Sequence, residues 1–252
     1  MKKKMIKILN KKFSKKITCL TAYSPSIANI LDGNVDMILI GDSLASTLYD
    51  MKNTQDVTLD MMKMHGRASI RNIKKSISII DMPFNTYNTK TMALKNAKSL
   101  LKFTKAKMLK IEITSKKLEI VNFLNKHKIN VIAHIGVTPQ SYKNFKKIRA
   151  LGKNEKQLSK LVKLSIDAEK AGAKAILLEC VTENTAKKIQ SAISIPTIGI
   201  GASKYCDGQV IVFDDLINLS NKDRKPKFVK TYMDFKKLAT KAINKFDIDV
   251  KL

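Results

Sequence analysis

Along most of the chain, short apolar runs alternate with longer stretches whose apolar residues recur every three or four positions. Runs of the first kind, bounded by turn-forming residues, read as strands, and stretches of the second kind read as amphipathic helices. The pattern predicts strands over residues 17–20, 35–40, 77–80, 107–111, 130–133, 175–178, 196–200 and 210–212. Between them it predicts a helix capped by Ser24 or Ser26, a Met-rich helix over 58–75, and helices over 89–103, 115–126, 155–171 and 182–193. No repeat of fixed period and no low-complexity linker interrupts this order. Eight strands, mostly separated by helices, point to parallel β/α units. The fold class read from the pattern is therefore α/β, a single (β/α)8 TIM barrel over residues 1–252, with a short basic N-terminal extension at about 1–16. The alternative is an open doubly wound sheet, which needs a glycine-rich turn after its first strand. Leu20-Thr21-Ala22-Tyr23 is no such turn.

Length agrees with one barrel: 252 residues can bury roughly 70–75% of the unfolded surface, so no covalent staples are needed. Cys19, Cys180 and Cys206 are odd in number and form no Cys-x-x-Cys pair, which argues against a disulfide framework and a structural zinc site. The longest apolar runs, such as Met37-Ile38-Leu39-Ile40, fall far short of a membrane span. The basic start of the chain lacks the apolar stretch of a secretory signal. The chain reads as a soluble cytoplasmic protein with no membrane partner.

Charge raises a different possibility. Lys and Arg number 48 against 21 Asp and Glu, a formal net charge of +27, and such a balance suggests a nucleic-acid partner. Yet Arg67, Arg71, Arg149 and Arg224 are the only arginines, and aromatic residues make up 6% with no Trp. Surfaces that read bases or clamp phosphates favour arginine forks and aromatic platforms. The lysines are also spread through nearly every segment. They read as a solvated coat, with no nucleic-acid partner.

The informative residues lie at the carboxyl ends of the predicted strands, which share one mouth in a barrel. Strand two ends in Gly41-Asp42-Ser43, strand three in Asp81-Met82-Pro83, strand four in Lys110-Ile111-Glu112, strand five in His134 and strand six in Glu179-Cys180. One strand-end Asp is ordinarily a turn or cap residue; ionisable groups ending five successive strands mark a functional mouth. Asp42, Asp81 and Glu112 are hard oxygen donors of the kind that hold Mg²⁺. Lys110 and Glu112, two apart on a strand, point the same way, and a lysine there suits an anionic substrate. Glu179 is then free to act as a base. The residues by themselves lead to metal-assisted proton abstraction beside a carbonyl. His65 reads as a packing or helix-surface residue, His127 as solvated loop and Cys180 as a buried small apolar residue.

At these positions the chain resembles the ketopantoate hydroxymethyltransferase family. The resemblance rests on Thr21-Ala22-Tyr23, Gly41-Asp42-Ser43-Leu44, Val57-Thr58 with His65, Asp81-Met82-Pro83-Phe84 and Lys110-Ile111-Glu112. It continues through the run from His134 to Thr138-Pro139-Gln140, Leu178-Glu179-Cys180-Val181, the run from Ile195 to Ala202, Asp207-Gly208-Gln209 and Pro226-Lys227-Phe228. It implies a barrel of the phosphoenolpyruvate/pyruvate type. It also implies Mg²⁺-dependent transfer of a one-carbon unit from 5,10-methylenetetrahydrofolate to 3-methyl-2-oxobutanoate. By the same resemblance Asp42, Asp81 and Glu112 would bind the metal, Glu112 directly or through water. Asp42, Ser43, Asp81 and Lys110 would contact the keto acid, Glu179 would remove the C3 proton, and His134 would be a further mouth residue. The partners implied are these small molecules and other copies of the chain, in a homo-oligomer that is commonly a decamer. The chain departs from the pattern at Ile113-Thr114, which stand where the family has Gly-Gly. It departs again near Met51, at Ser203 and over 144–153. Two further readings compete: another metal-dependent keto-acid lyase or mutase barrel, and a basic nucleic-acid-binding protein. The first would keep a catalytic cysteine or a different loop after strand five, and the second would cluster its lysines on one face.

Overall fold

The computed structural model describes residues 15–143, 149–220, 226 and 228–252. The basic extension up to residue 14, residues 144–148 of the departing stretch, Arg224 and Lys227 lie outside the described residues. The chain forms two compact units, one ending at Val210 and the other running from Ile211 to Leu252.

Eight parallel strands close into a barrel in chain order. They are β1 (Ile17–Thr21), β2 (Met37–Ile40), β3 (Ile77–Asp81), β4 (Met108–Glu112), β5 (Val131–Gly136), β6 (Ala175–Glu179), β7 (Thr197–Ile200) and β8 (Gly208–Ile211). Between them run α1 (Pro25–Leu31), α2 (Leu44–Leu48), α3 (Leu59–Ile70), α4 (Lys90–Thr104), α5 (Leu118–Lys126), α6 (Glu155–Lys170) and α7 (Glu183–Ala192). The (β/α)8 expectation holds, and most strand boundaries fall within two residues of the pattern. The helix starts are legible for a local reason. Ser24, Thr58, Thr89, Asn154 and Thr182 each accept a backbone N–H of the first turn of the helix they precede, the usual way an unpaired helix N-terminus is satisfied. The Met-rich helix stops at Ile70 rather than near residue 75. There the Asp32 carboxylate takes the N–H groups of Lys74, Lys75 and Ser76, leaving none of them for an intrahelical bond.

Inside the barrel, alternate residues of each strand form one core: Ile17 and Cys19, Met37 and Leu39, Ile77 and Ile79, Met108, Ile132, Ala175 and Leu177, Ile198 and Val210. A strand repeats its facing every two residues. Continued toward the carboxyl ends, the inward set becomes Asp81, Lys110 and Glu112, His134 and Glu179. The pleat that fills the barrel with apolar side chains therefore aims the charged ones at its mouth.

The second unit holds α8 (Phe213–Leu216) and α9 (Phe235–Lys251), which the apolar pattern did not predict. Asp234 caps α9 by accepting the Lys237 N–H. No helix among the described residues is long and apolar enough to cross a membrane.

Candidate active site

Register brings the strand-end residues face to face. Asp81 pairs across to Lys110, Glu112 to His134 and Gly136 to Glu179. Asp81 is the centre of the first group. Its Oδ2 accepts the backbone N–H of Asp42 at 2.9 Å and lies 2.9 Å from the Lys110 ammonium, with all three residues buried. Its Oδ1 is buried with no hydrogen-bond partner among the described residues. Asp42 sits in the turn between β2 and α2. Gly41 before it carries no Cβ, which would lie 2.9 Å from the Ser43 hydroxyl. Ser43 shares a 2.7 Å hydrogen bond with the Tyr23 hydroxyl.

His134 and Glu179 form a second group. The His134 Nε2 stands 3.3 Å from Glu179 Oε2, and its Nδ1 stands 3.7 Å from Glu112 Oε1 and 3.4 Å from Lys110 Nζ. Glu179 is the most exposed of the set, its side chain 24% accessible against 1% for His134, so it is the carboxylate that meets the open mouth. Its position depends on Gly136, which has φ +102°; a Cβ there would come within 2.2 Å of the Glu179 carbonyl oxygen. That close approach lets Val137 donate its N–H to the same carbonyl at 2.8 Å.

The electrostatics follow from burial. Removal from water pushes Asp81 up to about 7, with the Lys110 ammonium opposing the rise and Asp42 adding to it. Burial, with Asp42 beside it, also raises Glu112 well above the carboxylate range. Lys110 is pushed upward, because its three carboxylate neighbours outweigh its desolvation. Burial and then the Lys110 charge lower His134, which favours the neutral imidazole. A cluster of buried carboxylates held at this cost is the expected signature of a site that receives a cation or a proton.

Two participants escaped the sequence reading. Gln140, buried on the turn after β5, donates its Nε2 hydrogens to Asp42 Oδ2 at 2.8 Å and to the Met82 carbonyl at 3.0 Å. Its backbone N–H lies 3.1–3.2 Å from both Glu112 oxygens. The Tyr87 hydroxyl donates to Gln140 Oε1 and accepts the Glu112 N–H at 3.3 Å. Gln140 was in view only as part of the Thr138-Pro139-Gln140 signature, and Tyr87 carried no sequence signal. Asp42 and Asp81 are linked directly, through the Asp42 N–H on Asp81 Oδ2. Among the described residues no three His, Cys, Asp or Glu side chains form a ready metal cage. A two-carboxylate arrangement still fits Mg²⁺, which commonly takes one or two protein carboxylates and completes its shell with water and substrate oxygens. The partnerless Asp81 Oδ1 supplies a donor for it.

His65 is more than helix surface: it bonds the Tyr49 hydroxyl at 2.8 Å and the Tyr23 carbonyl at 2.8 Å. His127 is exposed at the end of α5, as expected. Cys180 is half-buried rather than buried; it follows Glu179 with φ +49°, and partial burial raises its thiol, which disfavours the reactive thiolate. Of the departures, Ile113 donates its N–H to the His134 carbonyl, and the Ser203 carbonyl accepts from Gln209.

Comparison with known proteins gives this mouth its relatives. The family model described as ketopantoate hydroxymethyltransferase matches residues 2–252. The 3-methyl-2-oxobutanoate hydroxymethyltransferase of Pelagibacter ubique (strain HTCC1062) is 44% identical over 250 residues, covering 99% of this chain and 95% of that one. The enzyme of the same name from Rhizobium etli is 41% identical over 241 residues, covering 95% and 88%. Among solved structures, 2,3-dimethylmalate lyase, a PEP mutase/isocitrate lyase superfamily member, superposes with a TM-score of 0.59 at 13% identity, covering 84% of this chain and 79% of that one. Phosphonopyruvate hydrolase in complex with oxalate and Mg²⁺ gives 0.59 at 12%, covering 78% and 75%. The structural likeness establishes the barrel type, and the whole-length sequence match establishes that this chain is an enzyme belonging to the ketopantoate hydroxymethyltransferase family.

Proposed function

We propose that the protein transfers a hydroxymethyl group from 5,10-methylenetetrahydrofolate to 3-methyl-2-oxobutanoate, giving 2-dehydropantoate, with Mg²⁺ as cofactor. The reading is supported by family membership. It is carried by one observation: a buried carboxylate oxygen without a partner, on Asp81, beside Asp42 and Lys110. Asp42 and Asp81 would hold the metal, with Glu112 reaching it directly or through water. When bound, the metal acts as a Lewis acid toward the keto acid and lowers the cost of forming its enolate.

The residues of the chain do the rest. Lys110 presents a permanent positive charge to an anionic substrate, and the Ser43 hydroxyl offers its carboxylate a hydrogen bond. Glu179, the carboxylate facing the opening, takes the C3 proton. The His134 Nε2, which has no hydrogen-bond partner among the described residues, stands 3.3 Å from Glu179. The electron pair released from the C3–H bond forms the new bond to the one-carbon unit. As that carbon–carbon bond forms, one carbon–nitrogen bond of the folate methylene bridge breaks; water then replaces the other, supplying the product hydroxyl, and the two nitrogens take up the C3 proton and the water proton as tetrahydrofolate leaves. The enzyme acts as a homo-oligomer, a decamer by family resemblance.

The test is product formation by the purified protein. With both substrates and Mg²⁺ it forms 2-dehydropantoate, and a chelator stops it. A folded protein that binds the keto acid but gives no product contradicts the reading.

A further inference from the structure

The buried carboxylates of Asp42 and Glu112 are joined by one uncharged residue. Every polar atom of Gln140 is engaged: Nε2 on Asp42 and on the Met82 carbonyl, Oε1 on Tyr87, the backbone N–H on Glu112 and the backbone carbonyl on the Gln55 amide at 2.9 Å. Two of these contacts end on buried carboxylates, Asp42 and Glu112, that repel each other. A lysine in this place would hold them by cancelling their charge, and would then compete with any cation. Gln140 holds Asp42 by a carboxamide N–H and Glu112 by its backbone N–H, and leaves the negative charge in place. Its orientation is not free either. The Tyr87 hydroxyl accepts the Glu112 N–H, so its one proton goes to Gln140 Oε1, which turns the amide nitrogen toward Asp42.

We infer that Gln140 is a positioning residue for the divalent ion: its carboxamide holds Asp42 in its metal-receiving orientation while its backbone N–H ties the same turn to Glu112, and Tyr87 sets the direction of the carboxamide. The inference rests on the Mg²⁺ reading above. Hydrogen-bond partners of metal-binding carboxylates usually matter this much, since their loss costs about 10–100-fold in metal affinity or activity.

The experiment measures Mn²⁺ binding by calorimetry on the full-length protein without substrate, in wild type, Gln140→Met and Tyr87→Phe. Methionine keeps the volume and removes the carboxamide bonds to Asp42, the Met82 carbonyl and Tyr87 while leaving the backbone N–H on Glu112; phenylalanine removes a single hydroxyl. Circular dichroism and metal-free thermal midpoints confirm the folds. Gln140→Met should bind Mn²⁺ at least about tenfold more weakly, and Tyr87→Phe should weaken it in the same direction by less. The metal concentration giving half-maximal C3-hydrogen exchange in the keto acid should rise more than the saturated rate falls, a split that general loosening of the fold does not produce. If wild type and folded Gln140→Met bind Mn²⁺ equally, the inference is wrong and the Mg²⁺ reading stands. If wild type binds none, both fall. Should Gln140→Met not fold, Tyr87→Phe decides: unchanged affinity overturns the assignment and weakened affinity supports it.

Discussion

Asp81 sits in a buried environment that opposes its ionisation, yet it is poised against Lys110. Its folded pKa of about 7 stands above the ordinary 3.8. An acid raised in this direction contributes stability that is fully present below its unfolded pKa and is lost as pH rises through the folded value. For Asp81 the loss runs between about pH 4 and 7, and Glu112 is shifted in the same direction. A divalent ion competes with the proton for the same oxygens, so its stabilisation should grow across this interval. The thermal midpoint should therefore rise more on adding Mg²⁺ at pH 8 than at pH 5.5. An equal rise at both, seen by scanning calorimetry, would mean that the metal does not contact these carboxylates. Substitution gives a second test. Removing one partner of a buried pair strands the other charge, at a cost of about 3–5 kcal/mol, so Asp81→Asn is preferable to Asp81→Ala. The amide oxygen can still accept from Asp42 and Lys110. The variant should fold and lose Mg²⁺-dependent binding of 3-methyl-2-oxobutanoate. Undiminished binding in a calorimetric titration would remove Asp81 from the metal site.

At the level of elements, the end of β5 is the tightest point beside the chemistry. Gly136 combines φ +102° with a Cβ position 2.2 Å from a backbone oxygen of Glu179. Alanine there must displace β6 where it carries Glu179. Gly136→Ala should cost more than about 2 kcal/mol, because backbone strain and a main-chain clash add. Urea unfolding measures this, and an unchanged midpoint would show that the β5–β6 crossing has slack. The same scale shows what could be read beforehand. Polar caps such as Thr58, Thr89 and Thr182 announce their helices within a few residues, and strict alternation along β3 to β6 tells which strand-end residues share the mouth. Asp42, Asp81, Lys110, Glu112, His134 and Glu179 were legible because they belong to strands or follow them directly. Gln140 and Tyr87 were not, because they reach the site from turns whose paths depend on tertiary packing. The α9 helix was missed because the alternation of strand and helix ends with β8, and nothing after it fits that template.

For the whole molecule the dominant quantity is charge. A formal +27 repels itself, and salt screens exposed charges over a Debye length of about 10 Å at 0.1 M. The thermal midpoint should rise from 10 to 300 mM NaCl; a fall would mean that favourable pairs, rather than a repelling lysine coat, govern the surface. The buried mouth residues carry the opposite excess: Asp42, Asp81 and Glu112 against Lys110. The proposed function turns on Glu179 removing the C3 proton of a keto acid. Exchange of that hydrogen with solvent deuterium, followed by proton NMR with Mg²⁺ and 3-methyl-2-oxobutanoate, needs no folate and reports the proton step alone. Wild type should exchange, and Glu179→Gln should still bind the keto acid while exchanging roughly a hundredfold more slowly or worse, the usual scale for a general base. Exchange at the wild-type rate in Glu179→Gln, or none in the wild type, would contradict it.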